Sequence, residues 1–171
     1  GSLVVTGDAA ATANNIVASG MLFRLGFLAD LIMITSDVAL ALVLYLLFRP
    51  VDAGLALLAA FFRLAQAVTL AVNLLNHFAA GLVLNEADWL TAFDPDQLQS
   101  LAYFFLEMHN FGYYAGLVFS AVHCLLLGNL MCRSGWFPKT LAAFLVVASI
   151  SYAGGSLAVF LWPHYEPLIS V

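Results

Sequence analysis

The side chains with most to offer chemically are Asp30, Asp37, Arg63, His77, His109, His123 and Tyr152, each set in an otherwise apolar stretch. His77, His109 and Asp30 together make the two-imidazole, one-carboxylate donor set used by zinc and non-haem iron sites. These ligands are far apart in the chain, and no local H-E-x-x-H pattern accompanies them, so the plainer reading is two histidines hydrogen-bonded to Asn73, Asn76 or water. Asp37 and Arg63 carry opposite charges. They read as a buried ion pair hydrogen-bonded by His123 or Tyr152, or as a proton or ion relay or a polar pocket for a small ligand. His109 and His123 are on one helical face about 21 Å apart, a separation at which one helix can hold two haems. His77 can face His109 as a second axial ligand, whereas no other helical histidine can face His123. A Ser120, His123 and Asp37 hydrolase triad can also be drawn, but serine on a transmembrane stripe ordinarily packs helices. No motif assigns a reaction.

The elements that must position these groups are set by composition. Of 171 residues, 64% are hydrophobic and only 9% charged, against about half and a quarter in a soluble domain. A water-soluble chain this short cannot hide so much apolar surface, so lipid is its solvent. The net charge of −5, with no basic cluster, argues against nucleic acid as a partner. Cys124 and Cys132 fall on one helix about 12 Å apart, too far to pair with each other there. They read as small buried hydrophobes.

Pro50, Pro95, Pro138, Pro163 and Pro167 all fall outside the apolar runs, where helices end. Four runs remain, about 21–48, 55–84, 97–131 and 140–161, each longer than the roughly 20 residues a membrane crossing needs. The expectation is an all-α polytopic transmembrane helical bundle: four spanning helices over residues 21–162, preceded by an N-terminal interfacial segment, 1–20, and followed by a tail, 163–171. Asp8 is placed to cap a short helix over 9–19, and Gly20 is a plausible break before the first long run. The connections holding Arg49 and Arg133 to Lys139 carry three of the five basic residues. The connection between the second and third runs carries Glu86, Asp88, Asp94 and Asp96 and no base. The positive-inside rule places the basic connections in the cytoplasm. Trp89, Trp136 and Trp162 fall at the expected interfaces.

Each long run has a polar stripe. Asp30 and Asp37 share a face of the first. Arg63, Gln66, Thr69, Asn73, Asn76 and His77 span about 140° of the second. His109, Gly112, Gly116, Ser120 and His123 fall within about 80° on the third. Ser149, Tyr152 and Ser156 mark the fourth. Such stripes are satisfied by facing one another in an antiparallel bundle. Counted from the cytoplasmic ends, Asp37, Arg63, His123, Ser149 and Tyr152 lie about 12–18 Å deep and form one layer. Asp30, Asn73, His77 and His109 lie about 27–34 Å deep and form another. Gly112 and Gly116 make a G-x-x-x-G, which predicts tight helix packing within the bundle or between protomers.

Several phrases belong together: Gly7-Asp8-Ala9-Ala10-Ala11-Thr12, Leu22-Phe23-Arg24-Leu25-Gly26, Phe48-Arg49-Pro50-Val51, Ala60-Phe61-Phe62-Arg63-Leu64, Phe93-Asp94-Pro95-Asp96-Gln97, His109-Asn110-Phe111-Gly112-Tyr113, His123-Cys124-Leu125-Leu126-Leu127-Gly128 and Arg133-Ser134-Gly135-Trp136-Phe137-Pro138. As a set, spanning nearly the whole chain, they resemble a large family of small bacterial multi-pass membrane proteins catalogued only as a domain of unknown function. The resemblance implies a protein of the bacterial inner (cytoplasmic) membrane with no catalytic residues to carry across. It also implies a further hydrophobic segment before Gly7, and so a truncated product here.

Three functional readings follow. The first is a non-enzymatic bundle with a polar seam, a binding or accessory subunit of a membrane assembly whose partners are lipid, other membrane subunits or its own copies. The second is a protein that holds a divalent metal or haem through His77, His109 and Asp30, with His123 as a further ligand. The third is a small transporter or proton-coupled sensor centred on Asp37 and Arg63.

Overall fold

A computed structural model of the chain describes residues 3–85 and 90–162. Glu86, Asp88 and Trp89, and the tail with Pro163 and Pro167, lie outside the described residues. Among the described residues five α-helices follow one another: α1 Ala9–Ala18, α2 Gly20–Phe48, α3 Ala53–Leu84, α4 Pro95–Ser134 and α5 Lys139–Leu161. No strand occurs among the described residues.

Local chemistry explains where each helix starts and stops. Gly7 takes a positive φ of 77°. The chain then enters α1 through Asp8, whose Oδ1 accepts from the Ala11 N–H at 2.8 Å. That bond satisfies one of the amide donors a helix leaves unpaired at its start. The break before α2 falls at Ser19, which leaves the helical region (φ −119°, ψ 37°) while its N–H still donates to Asn15. Gly20 is already helical. Between α2 and α3, Asp52 Oδ1 accepts from the Leu55 N–H at 3.0 Å and its Oδ2 accepts from Arg133 Nη1 at 2.8 Å. Helix α4 opens on Pro95, a position where proline's missing N–H costs nothing. It ends just before Gly135, whose φ of 69° is the left-handed turn that closes many helices.

Four of the five helices, all but α1, are long and apolar enough to cross a membrane. Their most apolar windows are only 22%, 28%, 44% and 17% buried, so leucine, valine and phenylalanine cover the outer surface. Such a surface is stable only against hydrocarbon. The protein is an integral membrane protein of helical architecture.

Contacts divide the chain into two compact units. One comprises Gly1–Met33 and Ala71–Gly112, and the other Ile34–Leu70 and Tyr113–Val171. The first is built on Ile16, Ala80, Val83, Leu90, Ala102 and Leu106. The second is built on Phe48, Ala56, Ala59, Leu130, Met131 and Ala142. Both cores are rich in alanine because helices in lipid gain contact by close backbone approach, with no hydrophobic effect to drive them together.

Candidate metal centre

In the first unit, α2 supplies Asp30, α3 supplies His77 and α4 supplies His109. One ligand atom from each lies within 4.8 Å of the other two. His109 Nε2 is 3.9 Å from Asp30 Oδ2, and the two imidazoles meet edge to face with centroids 5.4 Å apart. Donors bound tetrahedrally to one zinc ion at about 2.0–2.1 Å sit about 3.4 Å from each other. The widest pair of the three groups therefore has to close by up to about 1.4 Å, a movement of side-chain rotation.

Both rings are held by backbone carbonyls, and a carbonyl can only accept. His77 Nε2 therefore donates to the Phe23 carbonyl at 3.3 Å, leaving Nδ1 with its lone pair free. His109 Nδ1 lies between the Asn73 carbonyl at 3.2 Å and the Asn73 Nδ2 at 3.3 Å; in the tautomer in which it donates to the carbonyl, Nε2 is the lone-pair nitrogen on the Asp30 side. This is the outer-shell pattern that fixes tautomer and ring orientation at metal sites. The Phe23 ring lies against His77 at 4.2 Å.

Beneath His109 sits Asn73, only 5% exposed. Its Nδ2 donates to the His109 carbonyl at 2.8 Å and its Oδ1 accepts from Asn76 Nδ2 at 3.1 Å. A Cβ at Gly112 would collide with that carboxamide, so the missing side chain is what admits it. In the second unit a Cβ at Gly116 would come within 2.8 Å of Leu70 Cδ2. Both glycines of the G-x-x-x-G thus seat α3 side chains within the chain. Asn73 was legible as part of a polar stripe, but its place under His109 was not. The signal available was the i, i+3, i+4 run Asn73, Asn76, His77.

The second unit holds the other ionisable pair. Arg63 Nη2 donates to Asp37 Oδ1 at 2.5 Å, with both side chains largely buried. The expected hydrogen bonds to this pair from His123 or Tyr152 are not made among the described residues. His123 Nδ1 donates instead to the Ala59 carbonyl at 2.9 Å, and its ring is 2% exposed. Tyr152 is exposed at 39%, while Ser149 and Ser156 on the same helix are buried. Arg63 Nε and Gln66 Oε1 are buried without a partner among the described residues. Ser120 Oγ donates back to the Gly116 carbonyl on its own helix at 3.4 Å, an ordinary helix contact that does not engage His123. The His123 ring is 2% exposed, and the His77 and His109 ring centroids are 5.4 Å apart.

A family described as Domain of unknown function (DUF4386) matches residues 1–171. The chain belongs to the DUF4386 family. The multi-pass character that the sequence phrases imply agrees with the four spanning helices of this DUF4386 protein. It is also similar to an uncharacterized protein of Archaeoglobus fulgidus, 31% identical over 121 residues, which are 71% of this chain and 59% of that protein. The matched region thus spans about 59% of the relative's length. No solved structure matches the DUF4386 chain.

Proposed function

We propose that this protein binds a divalent first-row transition-metal ion, zinc or iron, within the membrane through Asp30, His77 and His109. The observation that carries the reading is the pairing of each imidazole with a carbonyl, Phe23 for His77 and Asn73 for His109. In the tautomers in which those nitrogens donate, each ring keeps a lone-pair nitrogen, and one ligand atom from each imidazole and from Asp30 lie within 4.8 Å of one another. His123 makes the same kind of bond to Ala59; what sets His77 and His109 apart is that a carboxylate stands within reach of both. Three protein ligands leave a coordination position for water or an exogenous group, the arrangement of sites that do chemistry or hand a metal on. The basic residues Arg49, Arg133 and Lys139 support a topology with their connections in the cytoplasm of a bacterial inner membrane. Cobalt(II) substitution tests the site. Purified protein is expected to develop the visible ligand-field bands of a low-coordinate nitrogen and oxygen site, lost in His77→Ala and in His109→Ala. A spectrum identical to free cobalt(II) in the same detergent contradicts the reading.

A further inference from the structure

The first unit also contains a cavity of about 400 Å³, in the range of small-ligand pockets (roughly 300–1,000 Å³). It starts at the ends of two helices, Gly20 of α2 and Asn85 just beyond α3, and its walls include Phe23, Phe27, Phe78 and Leu82. These apolar walls carry one charged side chain, Arg24, one turn into α2. The Arg24 guanidinium is exposed, and among the described residues no carboxylate pairs with it. Placed one turn inside a spanning helix, such a cation reaches for the phosphate level of the bilayer.

We propose that this cavity is a specific site for one anionic phospholipid, its phosphate held by Arg24 and an acyl chain lying along Phe23, Phe27 and Phe78. Two properties select this occupant. The walls suit hydrocarbon, and a membrane supplies hydrocarbon at a concentration no soluble ligand reaches. The guanidinium presents several donors in a plane, the geometry that recognises phosphate with two parallel bonds. Arginine on a smooth helix face would meet any passing headgroup. Arginine beside a cavity can hold one lipid in register, because chain and headgroup are engaged together. The inference goes beyond the metal reading and does not rest on it: His77 and Phe23 border both places, but Arg24, Phe27 and Phe78 supply no metal ligand.

Native mass spectrometry of the full chain, released from detergent after delipidation and EDTA treatment, tests the site. Phosphatidylglycerol, phosphatidylcholine with the same acyl chains, and free oleate serve as probes. One phosphatidylglycerol is expected to saturate at a single adduct that survives activation stripping the others. Phosphatidylcholine should bind at least about fivefold more weakly, the worth of one cationic contact at a membrane surface. Arg24→Gln is expected to reduce the phosphatidylglycerol adduct by a similar factor. Leu82→Trp, which fills the cavity from an already exposed position, is expected to abolish it while melting close to wild type. Equal retention of the two phospholipids, an adduct indifferent to Arg24→Gln and Leu82→Trp, or preferential retention of oleate overturns the proposal. Metal content read in parallel on protein not treated with EDTA should be unchanged in Arg24→Gln, which separates this site from the metal centre.

Discussion

The carboxamide of Asn73 occupies the space where a side chain at Gly112 would begin. The contact matters because the same carboxamide donates to the His109 carbonyl, and the Asn73 backbone carbonyl accepts from the His109 ring. A glycine on α4 therefore helps set the direction in which an imidazole on that helix points.

Gly112→Ala is accordingly predicted to displace Asn73 and loosen His109 without touching a ligand. Metal affinity should fall about 10- to 100-fold, the usual cost of losing an outer-shell partner. A competition titration with a chromophoric chelator measures this. An unchanged affinity with Asn73 demonstrably moved would separate the contact from the site.

The Asp37–Arg63 pair should behave as a buried ion pair. Asp37→Leu alone or Arg63→Met alone leaves an unpaired charge and is expected to cost on the order of 3–5 kcal/mol. The double variant should recover most of that loss, because burial of two apolar groups removes the stranded charge. Unfolding in a denaturing detergent series, run on all four proteins, gives the coupling. Additive losses would show that the two residues do not depend on each other.

Much of this was readable in the chain, and the reasons are particular. The four long helices lie within a few residues of the apolar runs because those runs are uninterrupted and Arg49-Pro50, Pro95 and Pro138 punctuate them. The grouping of Asp30 with His77 and His109, and of Asp37 with Arg63, follows from counting rise along straight helices. That count resists error because charges inside a membrane have few alternatives. What failed was side-chain direction. Tyr152 lies about 60° around α5 from Ser149. The most apolar window of α5 is only 17% buried, too narrow a stripe to include it. The sequence places His123 with the nearest charges, but the Ala59 backbone carbonyl accepts the hydrogen bond from its Nδ1, a partner that residue types do not reveal.

Outside the spanning segments, Asp52 carries a pH-dependent contact. The Leu55 N–H first, and then Arg133, hold its carboxyl below the usual aspartate value. Its stabilising share is therefore present above the unfolded aspartate pKa of about 3.9 and is lost as pH falls through the lower folded value. Melting temperature followed from pH 6 downward should drop less steeply in Asp52→Asn than in the wild type over that acidic window. Parallel curves would show that the contact contributes nothing to the acid limb.

The two native cysteines report topology. Cys132 is exposed next to Arg133, whereas Cys124 is buried. If the 133–139 connection is cytoplasmic, as proposed, a membrane-impermeant maleimide should label Cys132 in inverted membrane vesicles and spare it in right-side-out spheroplasts. Labelling in spheroplasts alone would invert the topology.

The most direct measurement is the metal content of protein purified without chelators, by elemental mass spectrometry, for the wild type and for Asp30→Asn, His77→Ala and His109→Ala. Wild-type protein is expected to hold close to one zinc or iron per chain, and each histidine variant to lose most of it. A wild-type content near zero after growth with both metals supplied, or a full complement retained when both histidines are replaced, would contradict it.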